Sequence, residues 1–161
     1  MTTAIIYDTK HGTTEKMCEM ISERLKRKKE KVELYNVNMT KNLDLNKYQR
    51  IIVGGSIHVG QIQESVKTFC ENNSKILMEK ELGLFICCMD ESREEEQLKN
   101  AYNEDLMKKA KAKRVLGGEF IFEKMNFFEK IIIRIITKTK RSKSNIKKNE
   151  INKFVEELLD I

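Results

Sequence analysis

The chain opens on a short apolar, β-favouring run at residues 3–7, and residues 13–29 then repeat apolar positions at helical spacing. Met17, Met20, Ile21 and Leu25 share one face, and Glu15, Lys16, Glu19 and Arg24 lie off it, which predicts an amphipathic helix. Residues 31–37, with Val32, Leu34 and Tyr35, read as a second strand, followed by a loop over 38–47. Residues 50–54 hold the triplet Ile51-Ile52-Val53, which suits a sheet buried on both faces. Gly54-Gly55-Ser56 is expected to break that strand. Residues 63–78 read as a helix with Val66, Phe69, Cys70, Ile76 and Leu77 inward, and 82–88 as a fourth strand. Ser92 and Glu95 have the spacing of a capping box, which predicts a helix running to about residue 110. Residues 115–122 form a fifth strand interrupted by Gly117-Gly118, residues 126–139 a helix, and 150–159 the last helix. The polar, basic stretch 140–149 reads as the one linker. Alternating strands and helices predict an α/β domain with a central parallel sheet, one domain over residues 1–161.

In open α/β sheets, ligands sit beyond the carboxyl ends of the strands. The loops at 8–14, 54–62 and 87–93 therefore matter most. The first, Thr9-Lys10-His11-Gly12-Thr13-Thr14, places three hydroxyls and a glycine before a helix. Helix N-terminal amides attract phosphate, and threonine hydroxyls add donors. A plain Thr-capped helix gives the same pattern. Neither GxxxxGK[ST] nor GxGxxG is present, which excludes a P-loop and a Rossmann fingerprint. A phosphate monoester that is held rather than cleaved fits this loop.

Composition changes the picture in two ways. The chain has 161 residues, 40% hydrophobic and 35% charged, without Pro or Trp, and the four cysteines (Cys18, Cys70, Cys87, Cys88) form no CxxC. No basic segment or cleavable apolar run precedes residue 4, so the expected compartment is the cytoplasm, with reduced thiols. Charge is also uneven. Residues 108–148 hold 14 of the 31 Lys/Arg and only 3 of the 25 Asp/Glu, a local +11, and the remainder carries −5. Such a segment suits an anionic partner; a solvated lysine-rich surface gives the same count. Within it, Phe127, Phe128, Ile131, Ile132, Ile135 and Ile136 form one helical face, fringed by Lys130, Arg134 and Lys138. This face either covers the sheet or lies on an anionic membrane surface through residues 127–148. In a joint arrangement Ile131 and Ile135 pack inward, with Phe127, Phe128 and Ile133 near lipid. Nucleic acid is not expected, because no stacking platform exists beyond Phe127 and Phe128.

Ile5-Ile6-Tyr7-Asp8-Thr9-Lys10-His11-Gly12-Thr13-Thr14 resembles the FMN-phosphate loop of the flavodoxin superfamily. Gly54-Gly55-Ser56-Ile57-His58-Val59-Gly60 is similar to its second flavin loop. Gly117-Gly118 and Asn126-Phe127-Phe128-Glu129-Lys130, within a basic helix and tail at about 124–149, resemble the menaquinone-dependent protoporphyrinogen dehydrogenase family within it. A response-regulator receiver lacks support: Asp8 stands without an acidic cluster.

The resemblance implies a flavodoxin-like, doubly wound, five-stranded parallel sheet of order 2-1-3-4-5 with helices on both faces, and FMN as cofactor. It implies that Thr9, Lys10, His11, Gly12, Thr13 and Thr14 surround the phosphate. Ser56, Ile57, His58, Val59 and Gly60 border one side of the ring, and Cys87, Cys88, Met89 and Asp90 the other. No stacking Trp or Tyr lies in either loop. No catalytic side chain is assigned. His58 can donate a hydrogen bond or proton beside the ring, since its ordinary pKa is roughly 6.5, or it is an exposed loop histidine. Buried packing is the default role of Cys87 and Cys88, and no metal site is expected. The implied activity is oxidation of a porphyrinogen with a quinone acceptor, at the inner face of the cell membrane. An electron carrier between redox protein partners and a flavin-free interaction domain remain alternatives on the same scaffold.

Overall fold

The computed structural model describes residues 1–137 and 141–161. Strands form where apolar residues run unbroken. β1 (Thr2–Tyr7), β3 (Arg50–His58) and β5 (Glu81–Cys87) are buried along most of their length, as strands with helices on both sides must be. With β2 (Lys31–Asn36) and β6 (Ala112–Val115) they form a parallel sheet, order β2-β1-β3-β5-β6. This is the expected order 2-1-3-4-5, because β4 (Gln61–Ile62) only adds two residues antiparallel to the end of β3.

Alternation along the strands feeds two cores. Ala4, Ile6, Ile51, Val53, Leu82, Leu84 and Ile86 pack against α2 (Glu64–Asn72), α3 (Ser74–Glu79), α4 (Glu94–Ala101) and α5 (Glu104–Lys109). Ile5, Tyr7, Ile52, Phe85 and Cys87 pack against α1 (Thr13–Arg27) and α7 (Lys148–Leu159). Between β6 and α7 the chain makes an antiparallel pair, β7 (Gly117–Phe120) with β8 (Lys143–Ile146). The segment joining these two strands carries a 3-10 turn at Phe122–Lys124 and α6 (Phe127–Thr137).

Several expectations are corrected. The helix expected over 63–78 is two helices, because Asn73 closes α2: its N–H and its side-chain amide both donate to Phe69 O, at 3.1 and 2.8 Å. The capping box does not form. Ser92 Oγ donates to Asp90 Oδ1 at 2.6 Å instead, and the helix starts at Glu94. That helix also ends early, where buried Tyr102 donates its hydroxyl to Phe85 O at 2.7 Å and Asn103 Oδ1 accepts from Leu106 N at 2.9 Å to start α5. The fifth strand leaves the parallel sheet at Leu116 to pair with β8, so the supposed linker 140–149 holds a strand and the start of α7.

The helix over 126–139 begins at Phe127, and its expected end at residue 139 lies outside the described residues, as do Lys138 and Lys140. Its described residues do not join either core on the sheet. Phe127, Phe128 and Ile135 are 71–74% exposed, so Ile135 does not pack inward as expected; Ile131 and Ile133 are half-buried. α7 occupies the sheet face instead, through buried Ile151, Phe154, Val155 and Leu158. Among the described residues no helix is long and apolar enough to cross a membrane.

Candidate functional site

The first loop is built from short local bonds. Asp8 Oδ1 accepts from Thr9 N at 2.7 Å, and the other carboxylate oxygen accepts from Ser65 Oγ. Thr9 Oγ1 accepts from Gly12 N at 2.9 Å. Gly12 takes φ 90°, a left-handed value that favours glycine, and leads into α1 with no side-chain cap. The loop is thus not a Thr-capped helix start. The first-turn N–H groups of α1 are left for an anion. Thr13 Oγ1 is buried and has no hydrogen-bond partner among the described residues. A buried hydroxyl left unpaired is unfavourable, and a phosphate oxygen would supply the missing bond.

Thr14 is fully buried and ties the first loop to the second. Its hydroxyl lies 3.0 Å from Ser56 Oγ. Ser56 N donates to Gln63 Oε1 at 2.7 Å. The diglycine does not break β3, which runs on to His58 and turns back at Val59-Gly60 (φ 51° and 77°) to pair with β4. Ser56 and Ile57 are half-buried; His58, Val59 and Gly60 are exposed.

In the third loop Cys87 and Cys88 are buried. Burial pushes the Cys87 thiol up to about 12 and also raises Cys88, so both stay protonated and neutral. Cys88 Sγ donates to Gln97 Oε1 at 2.6 Å, and Asp90 N donates to Cys88 Sγ at 3.3 Å. Met89 is half-buried against Gly118, and Asp90 is exposed. All three loops therefore sit at the carboxyl ends of adjacent strands β1, β3 and β5, as the sequence predicts.

The sequence reading missed a fourth component, the segment after β7. Lys124 Nζ donates to His11 O at 3.3 Å and lies 3.4 Å from where a Cβ on Gly12 would sit. Glu129 pairs through Oε1 with Lys10 Nζ and, at 3.4 Å, with His11 Nε2. Its other oxygen accepts from Asn126 N at 3.0 Å, and Asn126 Oδ1 accepts from Glu129 N at 2.9 Å. This reciprocal cap starts α6. Partial burial opposes the Glu129 charge, but Lys10, the Asn126 amide and His11 outweigh it and hold the carboxyl down at about 2. His58, though largely exposed, loses enough surrounding water for its pKa to fall below the ordinary value, and Lys10 and His11 lower it further. The Asn126…Glu129 spacing is visible in the sequence. Its docking onto the first loop is not, because that depends on β7 pairing with β8.

A family model described as the flavodoxin domain matches residues 4–147. Flavodoxin 1 from Bacillus cereus superposes with a TM-score of 0.63 at 14% identity, covering 99% of this chain and 98% of its own. A short-chain flavodoxin associated with a PDU bacterial microcompartment gives 0.65 at 18% identity, covering 99% and 97%. The rubredoxin:oxygen oxidoreductase of Desulfovibrio gigas gives 0.62 at 15% identity; 99% of this chain matches, spanning 36% of that protein's length. At these identities the structural likeness is one of fold. No curated protein matches the chain.

Proposed function

The chain belongs to the flavodoxin-domain family, and from that premise we propose that it is an FMN-binding electron-transfer protein serving redox partners. The observation that carries this reading is the first loop, with an uncapped α1 N-terminus and the unpartnered, buried Thr13 Oγ1 beside it. FMN is the cofactor. Thr9, His11, Gly12, Thr13 and Thr14 hold its phosphate. Ser56–Gly60 and Cys87–Asp90 border the ring, and Ile57, His58 and Met89 are their apolar or flat side chains. When bound, FMN supplies the capacity to accept and release electrons. The chain supplies orientation. Thr14 fixes the first loop against the second, and both buried thiols stay neutral near the ring. With its pKa lowered, His58 is neutral at pH 7 and offers one ring N–H and one acceptor nitrogen.

The test loads the purified chain with FMN, removes free flavin by gel filtration, and supplies an NADPH-driven flavodoxin reductase under anaerobic conditions. The expected result is one retained flavin per chain, reduced by the reductase and reoxidised by an added redox protein. A chain that retains no FMN removes the reading.

A second reading is favoured by one observation, the exposed apolar face of α6. Phe127, Phe128, Ile132 and Ile135 stand outward, with Lys130, Arg134 and Lys143 nearby in the chain. An apolar face with a cationic fringe suits substrates that are apolar and acidic, or an anionic membrane that holds them. On this reading the chain would bring a porphyrinogen and a quinone acceptor to the flavin site, and FMN, when bound, would supply the redox capacity between them. Protoporphyrinogen added anaerobically then bleaches the flavin, and a menaquinone analogue restores it. Flotation with anionic but not neutral liposomes accompanies that result. A flavin that stays oxidised with porphyrinogen leaves the carrier reading alone.

A further inference from the structure

Two cations lie at the first loop, and they differ in what they are free to do. Lys10 belongs to the loop itself, yet its ammonium is paired with Glu129. That carboxylate is fixed in place, because its second oxygen accepts from Asn126 N at the start of α6. It is also ionised at any ordinary pH. A phosphate dianion approaching Lys10 therefore meets a fixed negative charge beside it.

Lys124 comes from outside the loop. Phe122, buried, anchors the 3-10 turn that carries it, and Phe122 N donates to Ser142 Oγ at 3.0 Å. The Lys124 ammonium donates to the neutral carbonyl of His11 and stands beside Gly12, at the positive end of α1. It makes no ion pair among the described residues. Of the two nearest acids on its own hairpin, Glu123 accepts from Ser142 Oγ at 3.0 Å, and Glu119, which feels the Lys124 charge without pairing to it, is engaged by Lys16 at 2.9 Å and by Ser144 Oγ at 2.8 Å. The next residue after Gly12 is Thr13, whose buried hydroxyl lacks a partner. A cation, an uncapped helix end and an unpaired hydroxyl thus fall on the consecutive residues His11, Gly12 and Thr13.

We propose that Lys124, supplied by the segment between β7 and β8, is the cation that binds the cofactor phosphate, and that Lys10 serves instead to dock α6 through Glu129. This rests on the FMN reading and deepens it. The segment then sets the preference for FMN over riboflavin, which lacks the phosphate, and leaves the ring contacts to the other loops. A charge-assisted contact of this kind is the sort that discriminates a phosphate ester from its alcohol.

The test titrates the wild-type chain, K124Q, K124R and K10Q with FMN and with riboflavin, following flavin fluorescence at two salt concentrations. K124Q is expected to bind FMN about tenfold more weakly and riboflavin unchanged, with a shallower salt dependence for FMN. K124R restores most of the FMN affinity. K10Q loses less FMN affinity than K124Q. Retained riboflavin binding shows that K124Q is folded. An unchanged FMN-to-riboflavin ratio in K124Q, or a larger loss in K10Q, overturns the assignment while the FMN reading stands. A wild-type chain that binds neither flavin removes both.

Discussion

The hydroxyl oxygens of Thr14 and Ser56 lie 3.0 Å apart and join the first loop to the second across 42 residues of chain. Those loops lie at the carboxyl ends of β1 and β3, so this pair of hydroxyls holds the ends of two neighbouring strands together. Thr14→Val keeps the shape and removes the bond. It is expected to lower unfolding free energy by about 1 kcal/mol and to weaken the binding of both FMN and riboflavin, since it loosens the first loop against the second. Urea denaturation and flavin titration check this. Unchanged affinity for both flavins would sink it.

Gly54 sits opposite Phe85 in the β3–β5 register, and a Cβ there would lie 2.0 Å from the Phe85 ring. Phe85 is fully buried and cannot swing away, being packed edge-on to Phe154 at 6.1 Å. Gly54→Ala should therefore destabilise by about 3 kcal/mol. Adding Phe85→Leu opens space and is expected to recover part of the loss. The double variant being less stable than Gly54→Ala alone would show that the ring is not the obstacle.

Val59 holds φ 51°, a left-handed value that a β-branched residue rarely adopts, at the first position of a two-residue hairpin turn. It is 93% exposed, so its side chain contributes little packing. Asn-Gly is the favoured pair for a turn with two positive φ values. Val59→Asn should thus raise stability by about 1 kcal/mol, read as a higher thermal midpoint. A lower midpoint would mean that Val59 has a stabilising contact.

Glu129 has its carboxyl held at about 2, below the ordinary 4.5. A depressed folded-state value means stability that is present above pH about 4.5 and lost as pH falls toward 2. Glu129→Gln should flatten the stability profile across that window. It should also lower the pKa of His58, because Glu129 is among the charges that raise it. Thermal midpoints from pH 5 to 2 and histidine NMR titration provide the two readings. A His58 value that rises in this variant would contradict the arrangement.

The sheet was legible because its signal is local. Ile51-Ile52-Val53 announces a strand buried on both faces, and the three loop tips follow from strand order. What escaped was decided by pairing at a distance. Lys143–Ile146 carries no apolar alternation and becomes a strand only because β7 offers it an antiparallel partner. The apolar spacing across residues 63–78 continues through Asn73, so periodicity alone hid the break; Asn72-Asn73-Ser74 was the available signal. Thr9, His11, Thr13 and Thr14 could be named from the loop itself. Lys124, over a hundred residues on, could not.

The excursion between β7 and β8 begins and ends at one doorway: Phe120 pairs with Lys143, and further in Gly117 pairs with Ile146. Lys147 N then donates to Leu116 O at 3.0 Å, closing the neck. Among the described residues, neither core draws on α6. The segment is therefore a detachable cassette. A lineage could lengthen it, exchange it or trim it to a tight turn without disturbing the packed layers. Each such exchange would revise the charge above the first loop and the outward apolar face at a single stroke, so that partner choice and cofactor preference evolve in step.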